Sequence, residues 1–297
     1  MVGSAIWRNL EAQGCTQLIG RRSSELDLRR QAEVEDFFET ERPDIVIDAA
    51  AKVGGILAND TYPYAFLMEN MQIQNNLIDA AHRHGVEQFI FLGSSCIYPK
   101  LAPQPLKESY LLTDSLEPTN EWYALAKISG VKACEAIRKE FKKNFVSLMP
   151  TNLYGPNDNF DLLSSHVLPA MMRKFHEAKH QGHVPVNLWG SGTPMREFLH
   201  VDDLAEAVSF ALHHELPETL YNIGTGTDLS IRELATLVQT TVGHQGEIHW
   251  DATKPDGTPR KWMDVQKMNN LGWEAKISLA DGIEQTYRWF CETYAAK

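Results

Sequence analysis

No stretch of this sequence carries the ~18 consecutive apolar residues that a membrane-spanning helix requires, so a chain that crosses a bilayer as a helix is not expected. Cysteine is scarce. Cys15, Cys96, Cys134 and Cys291 are the four in 297 residues, and none forms a Cys-x-x-Cys pair. That spacing gives no metal-ligand set and suits thiols in a reducing compartment. Positive charge is in deficit, with 28 Lys and Arg against 39 Asp and Glu and a formal net charge of -11. A nucleic-acid surface, which needs clustered cations, is therefore not expected. Internal repeats, low-complexity tracts and a hydrophobic leader are also wanting, and cytoplasmic residence is the expectation.

One more feature is wanting near the start. Residues 1–14 have helical spacing and end in Gly14, and Thr16-Gln-Leu-Ile-Gly20 reads as a strand. A dinucleotide-binding unit opens with a strand and a Gly-rich turn ahead of such a helix, and neither is present. Gly3 fits the last glycine of that fingerprint, or is a loose residue in a helix. We expect truncation, with about a dozen residues preceding Met1 in a complete protein of this type.

What is present begins with alternating strands and helices. Helix Leu28 to Glu41, strand Asp44 to Ala50, helix Tyr62 to His84, strand Gln88 to Leu92, helix Glu121 to about Lys143 and strand Asn144 to Pro150 follow one another, which implies an α/β parallel sheet. Arg21-Arg22 follows the first expected strand. An arginine there accommodates the extra phosphate of NADP, although a solvated basic turn reads the same way.

Strand Gln88 to Leu92 ends in Gly93-Ser94-Ser95-Cys96, where ligands sit in open α/β sheets. Downstream, Tyr123 and Lys127 lie four apart and share one helical face. An ammonium beside a phenol favours the phenolate and lets tyrosine exchange a proton near neutrality. Alone, the spacing equally describes an amphipathic helix with a lysine reaching solvent. Thr119 or Asn120 is the expected cap of that helix, and Asp202 or Asp203 that of a helix over residues 200–213.

Ser94, Tyr123 and Lys127 in this order resemble the short-chain dehydrogenase/reductase superfamily. Val53-Gly54-Gly55-Ile56, Gly93-Ser-Ser-Cys-Ile-Tyr-Pro-Lys100, Glu117-Pro-Thr-Asn120, Pro150-Thr-Asn-Leu-Tyr-Gly-Pro156, Gly190-Ser-Gly-Thr-Pro-Met-Arg-Glu-Phe-Leu-His-Val-Asp-Asp203 and Lys254-Pro-Asp-Gly-Thr-Pro-Arg-Lys261 narrow the resemblance. Together they are similar to the GDP-L-fucose synthase family, an extended branch of the superfamily.

The resemblance implies a Rossmann-type doubly wound parallel sheet, its first strand missing here, with a smaller α/β substrate-binding domain. Residues 1–156 and 197–224 would bind NADP(H), and 157–196 with 225–297 the nucleotide-sugar. It implies 3,5-epimerisation of GDP-4-keto-6-deoxy-mannose, then reduction of its 4-keto group. Cys96 and His166 would exchange the carbon-bound protons, for which a thiol near pKa ~8.5 and an imidazole near ~6.5 are suited. Ser94 and Tyr123 would hold the keto oxygen, with Lys127 assisting. Gly3, Arg21, Arg22, Tyr123 and Lys127 would contact the cofactor; Asn152, Val167, Lys174, Trp189, Arg196 and Lys261 would contact the substrate. A homodimer through the Tyr123 helix is implied as well. The competing readings are another nucleotide-sugar epimerase, an inactive truncated fragment, and a non-enzymatic NADP-sensing protein.

Overall fold

The computed structural model describes residues 1–162, 164–254 and 256–295. Helix α1 (Val2–Ala12) and α2 (Gln31–Glu41) precede strand β1 (Ile45–Asp48), and a short α3 (Ile56–Thr61) leads to α4 (Pro63–Arg83). Then come β2 (Gln88–Leu92), α5 (Glu121–Phe141), β3 (Asn144–Pro150), β4 (Asn152–Tyr154), α6 (Val167–His180), β5 (Val186–Trp189), β6 (Met195–Arg196), β7 (Phe198–His200) and α7 (Val201–His213). The chain closes with β8 (Leu220–Ile223), β9 (Leu229–Ser230), α8 (Ile231–Val242), β10 (Ile248–Asp251), β11 (Arg260–Lys261), α9 (Gln266–Leu271) and α10 (Leu279–Trp289).

The main sheet runs β1-β2-β3-β8, all parallel. Side chains alternate across a strand, and β2 shows what that does when both faces are covered. Phe89 and Phe91 enter a cluster with Phe38 of α2, Leu77 of α4 and Val131 of α5. Ile90 and Leu92 enter the opposite cluster with Ile6 and Leu10 of α1 and Val208 of α7. Helices therefore cover both faces, the doubly wound arrangement that the alternation predicts. A third cluster joins Leu168, Met172 and Phe175 of α6, Leu188 of β5, Leu234 of α8 and Ile283 of α10. Beside it, β6 pairs with β11 and β9, and β5 with β10.

The expected strand over residues 16–20 does not form. A strand exists only through pairing, and this segment pairs with no other backbone among the described residues. Leu18 still packs on the α1 cluster, while Ile19 is exposed. Helix α2 starts at Gln31 rather than Leu28, because residues 22–30 are held in turns, with Arg30 N–H donating to the Asp27 carbonyl. The expected capping acid of α7 is also corrected: the His200 side chain accepts from Asp202 N–H at the cap. Asp203 is buried and accepts from Lys276 and Ile277 N–H groups, tying α7 to the turn before α10.

Gly130 shows how closely α5 lies on the sheet. A Cβ there would stand 2.4 Å from Cζ of Phe91, and that ring is fully buried. Alanine normally gains about 1 kcal/mol over glycine inside a helix, but overpacking a rigid core costs about 1–3 kcal/mol. We expect Gly130→Ala to destabilise the chain by about 1–2 kcal/mol in urea unfolding, and the loss to shrink in a Phe91→Leu background. A stabilised G130A protein would contradict this packing.

Candidate active site

The site gathers at the carboxyl end of β2. Gly93 makes the exit possible, since a Cβ there would lie 2.0 Å from Cε of Met149. Beyond it Ser94 caps a 3₁₀ turn over Ser95–Ile97, its hydroxyl accepting from Cys96 N–H at 3.3 Å. Tyr123 rises from the first turn of α5, its ring edge-on to Phe66 with centroids 6.3 Å apart. Its hydroxyl faces Ser94, whose side chain draws its pKa down. One turn further, the Lys127 ammonium donates to the Leu92 carbonyl at 2.9 Å and lies 4.6 Å from the Phe91 ring centre.

This placement overturns the expectation that Lys127 favours the phenolate. Burial pushes the Tyr123 phenol well above its ordinary pKa; Cys96 adds to the rise, and the Ser94 hydrogen bond only partly opposes it. Lys127 spends its charge on a carbonyl and a ring face, and burial lowers its own pKa. Tyr123 is thus a neutral proton donor here.

Cys96 has two neighbours, each 3.5 Å from its sulfur: the Lys261 ammonium and the Asn120 amide. Asn120 is the N-cap residue of α5, yet its side chain makes no cap bond. Asn120 is thus the cap residue by position, but its NH2 group is turned to the thiol and its Oδ1, the atom that would accept the cap bond, has no hydrogen-bond partner among the described residues. His166 stands at the N-cap of α6. The residue is exposed by area, yet desolvation by the surrounding protein, then the Lys261 charge, pulls its pKa below the ordinary value. Lys261 is therefore shared between the thiol and the imidazole.

The other expected residues divide. Lys174 donates to the Asn187 carbonyl at 2.9 Å and lies 6.0 Å from the centre of the exposed Trp189 ring. Lys254, which sequence reading did not single out, lies 5.5 Å from the same ring. Arg196 bonds the Met195 and Asp256 carbonyls at 2.8 and 3.4 Å, and Val167 is exposed beside His166. Asn152 instead commits its amide to the Glu197 carbonyl at 2.8 Å. Arg21 is paired with Glu41 and lies over Phe37, while Arg22 is exposed. Gly3 lies in α1, where a Cβ would come 3.9 Å from Cβ of Ala49.

A phosphorylated dinucleotide fits these residues. Helix α1 opens with no capping side-chain bond and no acid in its first turn, so its N–H groups and dipole suit a phosphate. The Arg21-Arg22 turn is basic, and Lys127 lies one turn from Tyr123.

Glu197 was also missed, because between Arg196 and Phe198 it reads as ordinary charge. It is fully buried. Its carboxylate accepts from the N–H groups of Thr225, Gly226 and Met263 at 2.6–2.8 Å, and its carbonyl accepts from Thr151 and Asn152. It follows Arg196, whose partner across the strands is Lys261, and its own N–H donates to the Lys261 carbonyl at 3.2 Å, so it holds the backbone of both cations at the cleft.

Residues 1–224 match the profile of the NAD dependent epimerase/dehydratase family. The chain is 59% identical to GDP-L-fucose synthase 1 of Arabidopsis thaliana over 98% of its own length and 90% of that protein. It is 53% identical to the GDP-L-fucose synthase of Escherichia coli K12, covering 98% of this chain and 94% of that one. Among solved structures, an NADP-bound GDP-L-fucose synthetase from Naegleria fowleri superposes with a TM-score of 0.90 at 26% identity, over 99% of this chain and 92% of that one.

Burial pushes Glu197 up to about 7 from an ordinary 4.5, against the pull of its N–H donors. A carboxyl that binds its proton more tightly when folded gives stability that is full below pH 4.5 and is lost as pH rises through about 7. We expect wild type to lose on the order of 2 kcal/mol across that window, and Glu197→Gln to lose less, in chemical unfolding at a series of pH values. Parallel pH curves would contradict this.

Proposed function

The chain belongs to the NAD-dependent epimerase/dehydratase family, and from that premise we propose that it makes GDP-L-fucose from GDP-4-keto-6-deoxy-D-mannose, epimerising carbons 3 and 5 and then reducing the 4-keto group with NADPH. The observation that carries this reading is the meeting of Cys96, with Lys261 and Asn120 at its sulfur, and the neighbouring hydroxyls of Ser94 and Tyr123 in one cleft.

In this reading, Ser94 and Tyr123 hold the keto oxygen, which acidifies the neighbouring carbon-bound protons. Cys96 and His166 take and return those protons, and the same hydroxyl pair stabilises the enolate oxygen. NADP(H), when bound, would supply the hydride for carbon 4. Tyr123, kept neutral by its surroundings, supplies the proton to the oxygen, and Lys127 steadies it. Gly3, Arg21, Arg22, Tyr123 and Lys127 contact NADP(H). Lys174, Trp189, Arg196 and Lys261 hold the GDP moiety, where cations suit a diphosphate and an indole packs on an apolar edge; Val167 lines the same wall, and Asn152 acts there through Glu197. Residues 1–156 with 197–224 form the cofactor unit, and 157–196 with 225–297 the substrate unit. The protein works in the cytoplasm as a homodimer through α5, whose Trp122, Leu125 and Phe141 are exposed. A monomeric mass in sedimentation would remove the dimer from this account.

The deciding assay follows NADPH oxidation on GDP-4-keto-6-deoxy-mannose in D2O. Wild type should turn over and place deuterium at carbons 3 and 5. Cys96→Ser should lose deuterium uptake while still oxidising NADPH, and Tyr123→Phe should slow reduction by about 10²–10⁴-fold. Unchanged uptake in C96S would overturn the role given to the thiol.

A further inference from the structure

Asp48 ends β1 and has no part in the chemistry above. It is 2% exposed, one carboxylate oxygen accepts from Ala50 N–H at 3.1 Å, and the other has no hydrogen-bond partner among the described residues. A buried carboxylate left half-satisfied is costly unless a charge compensates it. In the register of the sheet Asp48 pairs with Phe91, and paired residues of parallel strands project on the same face. Val46, two residues earlier, packs into the cluster under α4 and α5, which places Asp48 on that face too. The Phe91 ring beside it carries the Lys127 ammonium, itself on a residue 2% exposed. A single carbonyl, Leu92, is the hydrogen-bond acceptor of that ammonium among the described residues. Two buried groups of opposite charge, each poorly supplied with other partners, thus share one end of the sheet.

We propose that Asp48 is a positioning residue for the reaction, the buried counter-charge that keeps Lys127 an ammonium beneath the cleft and so holds the Tyr123–Lys127 arrangement in working order. The inference rests on the function proposed above for what the arrangement does, and on geometry for the partnership itself. The influence is reciprocal. Burial pulls Lys127 down and Asp48 draws it back up; burial pushes Asp48 up and Lys127 draws it back down. The other groups facing this pocket do not replace the carboxylate. From α5 they are the neutral Tyr123 and the Cys134 thiol, which burial pushes up to about 12. From α4 the contribution is Gln74, an uncharged amide bonded to the Ala126 carbonyl. From β2 it is the Phe91 ring and the Leu92 carbonyl.

Asp48→Asn keeps the shape and an acceptor for Ala50 while removing the charge. The test follows the Lys127 side-chain resonance of the full chain with ¹³C-labelled lysine, assigned by its absence in Lys127→Arg, as pH is raised without cofactor or substrate. We expect the Lys127 midpoint to fall by about one unit or more in D48N and to return toward wild type in Asp48→Glu. In turnover, the alkaline limb of the kcat/KM profile for reduction should move down by the same amount, with activity preserved at the acid end. Asp48→Leu, which fills similar volume with no polar atom, gives both readouts if D48N does not fold. An unmoved midpoint, or an activity loss equal at every pH, would overturn the proposal. A wild type that fails to oxidise NADPH on the GDP-sugar would defeat the proposed function alone, since the resonance still decides the partnership.

Discussion

The buried carboxylate of Glu197 is the constraint from which the cleft takes its shape. Three backbone N–H groups and a threonine hydroxyl converge on two oxygens, and a carboxylate is the side chain with acceptors enough for all of them. Those donors come from the turn after β8 and from the segment after β11, and the Glu197 carbonyl adds the start of β4. One residue thereby fastens the main sheet to the smaller strands that carry Arg196 and Lys261. Any shift of this knot would move both cations away from Cys96 and the loops around it.

Desolvation is the second common thread. It raises Tyr123, Asp48 and Glu197, and lowers Lys127 and His166, in each case as the largest cause. Every one of these shifts favours the neutral form, as burial must. For Tyr123 and His166 that neutrality is useful, giving a phenol with a proton to donate and an imidazole able to accept one. For Lys127 it is a hazard, and the structure supplies a carbonyl, a ring face and a carboxylate against it.

Much of the molecule was legible because its signals are local. Ser94, Tyr123 and Lys127 sit at a strand end and on one helical face, so spacing alone brings them within reach of each other, and the alternation of elements gives the parallel sheet. Most of the misreadings were decided by distant partners. Residues 16–20 have strand chemistry but no strand to pair with among the described residues. Asn120 looks like a helix cap and serves a thiol 24 residues earlier. Asp203 looks like a cap and holds a turn 73 residues later. Glu197 and Asp48 were passed over because a carboxylate announces burial in no local pattern. The effect of Lys127 on Tyr123 was misjudged for the same reason, since nearness along a helix says nothing of where the ammonium points or how dry the site is.

The thiol and its ammonium neighbour are separated by 165 residues of chain, with three further parallel pairings of the main sheet or its flank to be made between them. Loop closure over such separations comes late in folding, and parallel sheets form slowly. During synthesis Cys96 therefore leaves the ribosome long before the lysine that will face it. Partly folded species along the way carry a free thiol without a cleft around it, and Cys96 gains its charged neighbour only as the last long-range contacts close.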